Sequence, residues 1–176
     1  MLKLNHLFLL VILAIFFSAC SVKYDNVNLE KKNYQDEEVK KLTKTILSIS
    51  KKIDEKEAKE LSYDAITYSK YLANEYELVS PPLFHNTLVN YNFKEKGLCH
   101  HFAKDLLAYL NRKKYKTIKL ERIVAERKEY FEHNGIMLTA HGVKFENSLV
   151  LDAWRDSGKL YWIEVKNDND YKWEPK

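Results

Sequence analysis

The apolar residues of this chain change their repeat once, and that change constrains the fold more than any other feature. Up to residue 110 they recur at helical spacing; from residue 117 they gather into short runs rich in β-branched side chains. Val39, Leu42, Ile46, Ile49 and Ile53 stand three or four apart, which lines them along one side of a helix. Asp54 with Glu57 three residues on is a helix start, and a second stripe follows at Ala58, Leu61, Ala65, Tyr68 and Leu72. Ser80-Pro81-Pro82 predicts its stop, because a residue before proline is driven out of the helical region. The two stripes predict a helical hairpin. A third helix is predicted from Leu98 or Cys99, with Cys99, Ala103, Leu106 and Leu110 on one face. Arg112, Lys113 and Lys114 lie at its end, where the helix dipole favours positive charge. Strands are predicted over residues 117–125, 135–140, 148–151 and 160–165. Helices followed by strands predict an α+β domain: N-terminal helices, a central helix bearing Cys99, then an antiparallel sheet.

The first twenty residues follow a different pattern. Lys3 precedes an uninterrupted apolar run over residues 7–17, too short to span a bilayer comfortably and of the length of a signal-peptide core. Phe17-Ser18-Ala19-Cys20 resembles a bacterial lipobox, in which the cysteine takes the lipid and becomes the first mature residue. The expected organisation is a signal peptide over 1–19, a lipidated Cys20 and flexible tether over 20–35, and a single domain over 36–176. The expected location is the cell envelope, lipid-anchored on the periplasmic or extracytoplasmic face of a membrane. The length of 176 residues suits one domain. A net charge of +4 spread along the chain gives no nucleic-acid footprint, and four glycines form neither a phosphate loop nor a dinucleotide fingerprint.

Two cysteines are present, Cys20 and Cys99. With a lipid on Cys20, Cys99 has no intramolecular partner, and a lone thiol outside the cytoplasm is a liability unless it is buried or used. Cys99 falls at a predicted helix N-terminus, where free N–H groups and the dipole favour the nucleophilic thiolate. His133 opens one predicted strand and Asp152 closes another. A hairpin turning on Gly142-Val143, with glycine suited to a type II′ turn, would set Gly135 opposite Val150 and His133 opposite Asp152. Directly opposed side chains have Cβ atoms roughly 4.5–5.5 Å apart, within reach of an imidazole–carboxylate hydrogen bond. Cys99 then reads as nucleophile, His133 as general acid/base and Asp152 as the group that orients it. The backbone N–H of Cys99 supplies half of an oxyanion hole, and Asn90 and Asn92 are the candidates for the other half.

The segments Gly97-Leu98-Cys99-His100-His101-Phe102-Ala103, His133-Asn134-Gly135 and Leu151-Asp152-Ala153-Trp154 together resemble the transglutaminase-like branch of the papain-like cysteine enzymes. A closer resemblance is to small bacterial lipoproteins sharing Leu88-Val89-Asn90, Gly97-Leu98-Cys99, Glu132-His133-Asn134 and the Trp154-to-Trp162 pattern. The resemblance covers roughly the second half of the mature chain. It implies a papain-like core with Cys99, His133 and Asp152 as triad, and a hydrolase or acyltransferase acting on peptide, isopeptide or amide bonds. No cofactor and no metal are implied; Cys99-His100-His101 lacks standard zinc spacing. His85 reads as a loop residue, His141 as an exposed turn residue, and Trp154, Trp162 and Trp173 as packing or a ligand platform. The expected partners are a membrane, through Cys20, and a peptide or protein substrate. The rival expectation is a non-catalytic lipoprotein that binds an envelope or protein partner through the same fold, with Cys99 merely buried.

Overall fold

The computed structural model describes residues 20–25 and 27–176. The signal-peptide reading over 1–19 falls outside the described residues. Among those described, four helices and a five-stranded antiparallel sheet make a mixed α+β fold, and no helix is long and apolar enough to cross a membrane.

Helix α1 (Glu37–Ile49) starts where Asp36 accepts hydrogen bonds from the N–H groups of Glu38 and Val39, at 2.9 and 3.3 Å. Helix α2 (Glu55–Glu75) starts likewise, with Asp54 accepting from the Glu57 N–H at 2.9 Å. A side-chain acceptor at this position satisfies one of the donors a helix leaves unpaired at its start. The apolar stripes of both helices are buried: Val39, Leu42 and Ile46 on α1, and Ala58, Leu61, Ala65 and Leu72 on α2. The hairpin predicted from the periodicity is therefore present. A short ribbon follows, in which β1 (Cys20–Ser21) pairs antiparallel with β2 (Val79–Ser80).

The next element departs from the sequence reading. Ser80-Pro81-Pro82 ends one region but also begins helix α3 (Pro82–Asn90). Pro82 occupies the first turn, where a proline's missing N–H costs nothing and its fixed φ suits the helix. Helix α4 (Cys99–Asn111) then runs as predicted, burying Phe102, Ala103, Leu106 and Leu110.

The sheet contains β3 (Lys119–Ala125), β4 (His133–Thr139), β5 (Leu149–Asp156), β6 (Lys159–Glu164) and β7 (Trp173–Pro175), in the order β6-β5-β4-β3-β7. Strand alternation divides its side chains between two cores. Ile136, Leu138, Leu149 and Leu151 join the helices in the main core, while Ile123, Met137, Val150 and Trp173 form a smaller one on the opposite face. By the same parity His133 and Asp152 belong with Met137 and Val150.

The β4–β5 register corrects the expectation. Ile136 pairs with Leu151 and Met137 with Val150, two residues away from the hairpin centred on Gly142-Val143. The connection is longer than two residues: a turn closes from the Val143 N–H to the Ala140 carbonyl at 3.0 Å, and a 3-10 turn over Phe145–Asn147 follows. A one-residue slip would have flipped every side chain to the other face, whereas a two-residue slip preserves faces. His133 and Asp152 become diagonal neighbours, still within reach of long side chains.

The described residues of the 20–35 segment, read as a flexible tether, are fastened to the domain at several points. The Val22 N–H reaches the Leu78 carbonyl at 2.8 Å. The Asn74 amide bonds Tyr24 in both directions at 2.9 Å, and the Tyr24 hydroxyl reaches the Ser157 carbonyl at 3.1 Å. Further on, Lys32 pairs with the buried Asp64 at 3.1 Å, and Tyr34 packs edge-on against Tyr63.

Leu106 is fully buried where α4 meets the sheet. Leu106→Ala is expected to cost about 3 kcal/mol through lost transfer energy and the cavity left behind, measured by urea unfolding.

Candidate active site

Cys99 is the first residue of α4, and three features hold it there. His85 is wholly buried. Its Nδ1 accepts from the Val79 N–H at 3.1 Å, and its Nε2 donates to the Lys96 carbonyl at 2.8 Å. Burial pushes its pKa down, in keeping with the neutral ring that this donor–acceptor pattern requires. His85 thus ties β2 to the loop before α4 and corrects its reading as an inconsequential loop residue. Gly97 passes so close that a Cβ would lie 2.1 Å from His85 Nε2, and its φ of +127° belongs to glycine. His101 turns back along the helix, and its Nδ1 accepts from the N–H groups of Gly97 and Leu98 at 3.2 and 3.3 Å. With those donors satisfied, the N–H groups of Cys99 and His100 remain as the free donors of the helix start.

From this position the Cys99 sulfur reaches the beginning of β4, where Sγ lies 3.8 Å from the Glu132 carbonyl oxygen. The next residue is His133, 3% exposed. Its Nε2 lies 2.6 Å from Asp152 Oδ2, so Nδ1 is the ring nitrogen left to serve the sulfur. Burial opposes the charged imidazole, but the charge and hydrogen bond of Asp152, with the Cys99 sulfur beside the ring, overrule it and push His133 up to about 9.

Asp152 owes its aim to a local irregularity. The β5–β6 register shifts between Asp152 and Asp156, just before a two-residue turn at Ser157-Gly158, both with positive φ. Asp152 Oδ1 accepts from the backbone N–H groups of Trp154 and Arg155 at 3.0 and 3.2 Å, which leaves Oδ2 turned toward His133. Arg155 also reaches Oδ2 through Nε at 3.2 Å. Burial favours the neutral acid, yet His133 and Arg155 hold the Asp152 carboxyl below its ordinary range.

Beyond the dyad lies a shell of which sequence reasoning named the aromatic residues, as packing or a platform, but missed Arg155 and Asp168. Arg155 extends its other nitrogens to Asp168 at 2.7 Å, and its guanidinium lies over Tyr161 and Tyr171, 4.3 and 4.7 Å from their centroids. The indole N–H of Trp173 donates to the same Asp168 carboxylate at 2.8 Å. Tyr171 stacks on the His133 ring at 4.3 Å, and Trp154 and Trp173 flank it at 5.1 and 5.4 Å. Trp173 fits because Gly135 has no side chain; a Cβ there would meet its ring at 3.1 Å. The usable signal was compositional: an arginine three residues after the candidate Asp, followed by Asp168, Tyr171 and Trp173.

Cys99 and His133 share a cleft of about 620 Å³ with Pro81, Leu83, Asn86, Asn90, Tyr130 and Trp154. The structure thus brings Cys99, His133, Asp152 and Asn90 together. Asn92 lies elsewhere, on the turn after α3 beside Glu77 and Lys94. Asn86, one helical turn before Asn90, was not anticipated. Its Oδ1 accepts from the Trp154 indole N–H at 3.1 Å, which settles which end of the amide is oxygen and leaves the NH₂ group free to donate. Among the described residues no group of three or more His, Cys, Asp or Glu is arranged to hold a metal ion. No protein-family model, curated protein or solved structure matches the chain.

A raised folded-state pKa contributes stability that is complete below the unfolded value, about 6.5 for histidine, and lost as pH rises through the folded value. The His133 ring is expected to titrate near 9 by NMR, and stability to fall between about pH 6.5 and 9. In Asp152→Asn the midpoint moves down and that slope flattens.

Proposed function

We propose that this protein is a lipid-anchored thiol enzyme of the transglutaminase-like, papain-like kind, cleaving or transferring acyl groups at peptide, isopeptide or amide bonds. The single observation carrying this reading is an imidazole hydrogen-bonded to a buried carboxylate with a cysteine sulfur lining the same cleft, raised so that it keeps its proton at neutral pH. Such an arrangement suits general acid/base work on a thiol. The placement of the thiol at a helix start, packed against an antiparallel sheet whose strands carry the other two groups, supports the family reading. Anchoring rests on the Phe17-Ser18-Ala19-Cys20 sequence, with export to the outer face of a membrane and retention there by the lipid on Cys20.

In the resting site the proton sits on His133 Nδ1, because Nε2 is engaged by Asp152. The Cys99 thiolate attacks the acyl carbon, a C–S bond forms and the carbonyl electron pair moves to oxygen. That oxyanion is received by the Cys99 N–H and the Asn86 amide. As the C–N bond breaks, His133 gives its proton to the departing amine. Water or a second amine then attacks the thioester, passing its proton to His133, and the C–S bond breaks to restore the thiolate. Asp152 stays ionised throughout and keeps the imidazole aligned. Trp154 and Tyr171 cover the ring on the cleft side, and their apolar surface strengthens the electrostatics beneath them.

Cys99 is expected to react with iodoacetamide at neutral pH about 10-fold faster than a free cysteine, and His133→Ala to lose that advantage, followed by mass spectrometry. A slow thiol indifferent to His133→Ala would overturn the enzyme reading and leave a binding protein on the same fold. Asn86→Ala is expected to slow acylation by a nitrophenyl ester about 100-fold, read as nitrophenolate release. Alkylation by iodoacetamide, which builds no oxyanion, should be little changed.

A further inference from the structure

The strand that begins at Cys20 ends the freedom of the anchor almost as soon as it starts. The Cα of Cys20 is the partner of Ser80, and Ser80 is followed directly by Pro81, Pro82 and Leu83, which form one lip of the Cys99 cleft. Paired strand residues lie roughly 5 Å apart and consecutive Cα atoms 3.8 Å, so the Cys20 backbone is within about 10 Å of that lip. The hydrogen bonds of Val22 and Tyr24 to Leu78, Asn74 and Ser157 pin the following residues. A lipid on Cys20 therefore has no long leash.

The mouth of the cleft carries exposed apolar side chains. Among the described residues five large hydrophobic side chains are exposed: Leu83, Tyr91, Phe93, Tyr130 and Phe131. Three of them, Leu83, Tyr130 and Phe131, stand on the two lips of the cleft, at 62, 89 and 70% exposure. Burying them against water-free surroundings stabilises the bound state, and aromatic side chains in particular favour the lipid–water boundary.

We propose that the mouth of the cleft is a bilayer-contacting surface. Leu83 on one lip and Tyr130 and Phe131 on the other enter the lipid–water interface beside the acylated Cys20. The substrate is then one whose reacting carbonyl is held at that interface, on a lipid or a lipid-anchored chain, rather than one diffusing in bulk solvent. This rests on the lipid-anchor reading of Cys20, and its test does not depend on the thiol chemistry. A membrane is favoured over a soluble protein partner because the Leu83 lip stands within about 10 Å of the anchor's backbone.

The test uses the full lipidated protein in vesicles of phosphatidylethanolamine and phosphatidylglycerol whose acyl chains carry bromine. Leu83→Cys, Tyr130→Cys and His141→Cys are each made with Cys99→Ser and labelled with an environment-sensitive fluorophore. His141 lies beyond Thr139, at the end of β4 away from His133, roughly 20 Å along the strand. Bromine is expected to quench the probes at 83 and 130 at least about two-fold more than the probe at 141. Equal quenching at all three positions in vesicle-bound protein overturns the proposal while leaving the anchor and the thiol enzyme standing. A mass spectrum with Cys20 unmodified, and protein that does not float with the vesicles, overturns the anchor and this surface together. Tyr130→Ser with Phe131→Ser supplies the second check. Both side chains are exposed, so the fold is kept, and the probe at 83 is expected to lose most of its quenching.

Discussion

A carboxylate with almost no access to water governs this molecule. Taking a charge out of solvent costs several kcal/mol unless it is paired and hydrogen-bonded, and Asp152 is 1% exposed. Each of its oxygens is therefore spoken for: Oδ1 by two backbone N–H groups, Oδ2 by His133 and Arg155. Those demands account for much of the surrounding structure. The irregular stretch of β5 exists where the chain folds its own N–H groups onto Oδ1. Arg155 brings a compensating charge, and its own burial is relieved by Asp168 and the faces of Tyr161 and Tyr171. Asp168 in turn is held by the Trp173 indole. One buried anion thus organises a chain of partners that ends by walling in the imidazole.

The sulfur is organised from the helical part of the fold by neutral groups. His85 and His101 both serve as backbone staples, one before the loop and one within the first turn of α4. Burial lowers the pKa of both, so they hold their positions without adding positive charge next to His133. The division is physically sensible. A single protonated imidazole beside the sulfur defines where the proton resides, whereas additional cations would blur it.

The helical half was legible because its apolar spacing and its two aspartate caps agree: Asp36 and Asp54 start α1 and α2 as side-chain acceptors should. Cys99, His133 and Asp152 were legible as a set because strand parity survives an error of two residues. The turn at Gly142-Val143 was misplaced, since nothing in Phe145-Glu146-Asn147 announces a 3-10 turn, yet both side chains stayed on one face. Helix α3 was hidden because Pro81-Pro82 signals an ending, and only the neighbouring structure decides that the second proline is also a beginning. Asn86 and Arg155 were hidden for a different reason. Asn86 matters through Trp154, a partner 68 residues away that leaves no trace in the local pattern, and Arg155 left only the compositional hint of an arginine three residues after Asp152 with Asp168 beyond it. His85 was misread because a lone histidine after two prolines looks like solvent-facing loop, when burial and two backbone partners make it a strut.

The wall around the imidazole has an implication for timing. Cys99 is synthesised early relative to the groups that complete its surroundings: Asp152 comes more than fifty residues later, and Asp168, Tyr171 and Trp173 later still. A chain threading out of a ribosome carries its sulfur into the open well before β7 docks on β3 and encloses the ring. During that interval the sulfur does not yet have the His133 imidazole beside it. The aromatic cover of the ring is assembled only as β7 docks, so a chain released no further than β6 carries sulfur and imidazole without their wall.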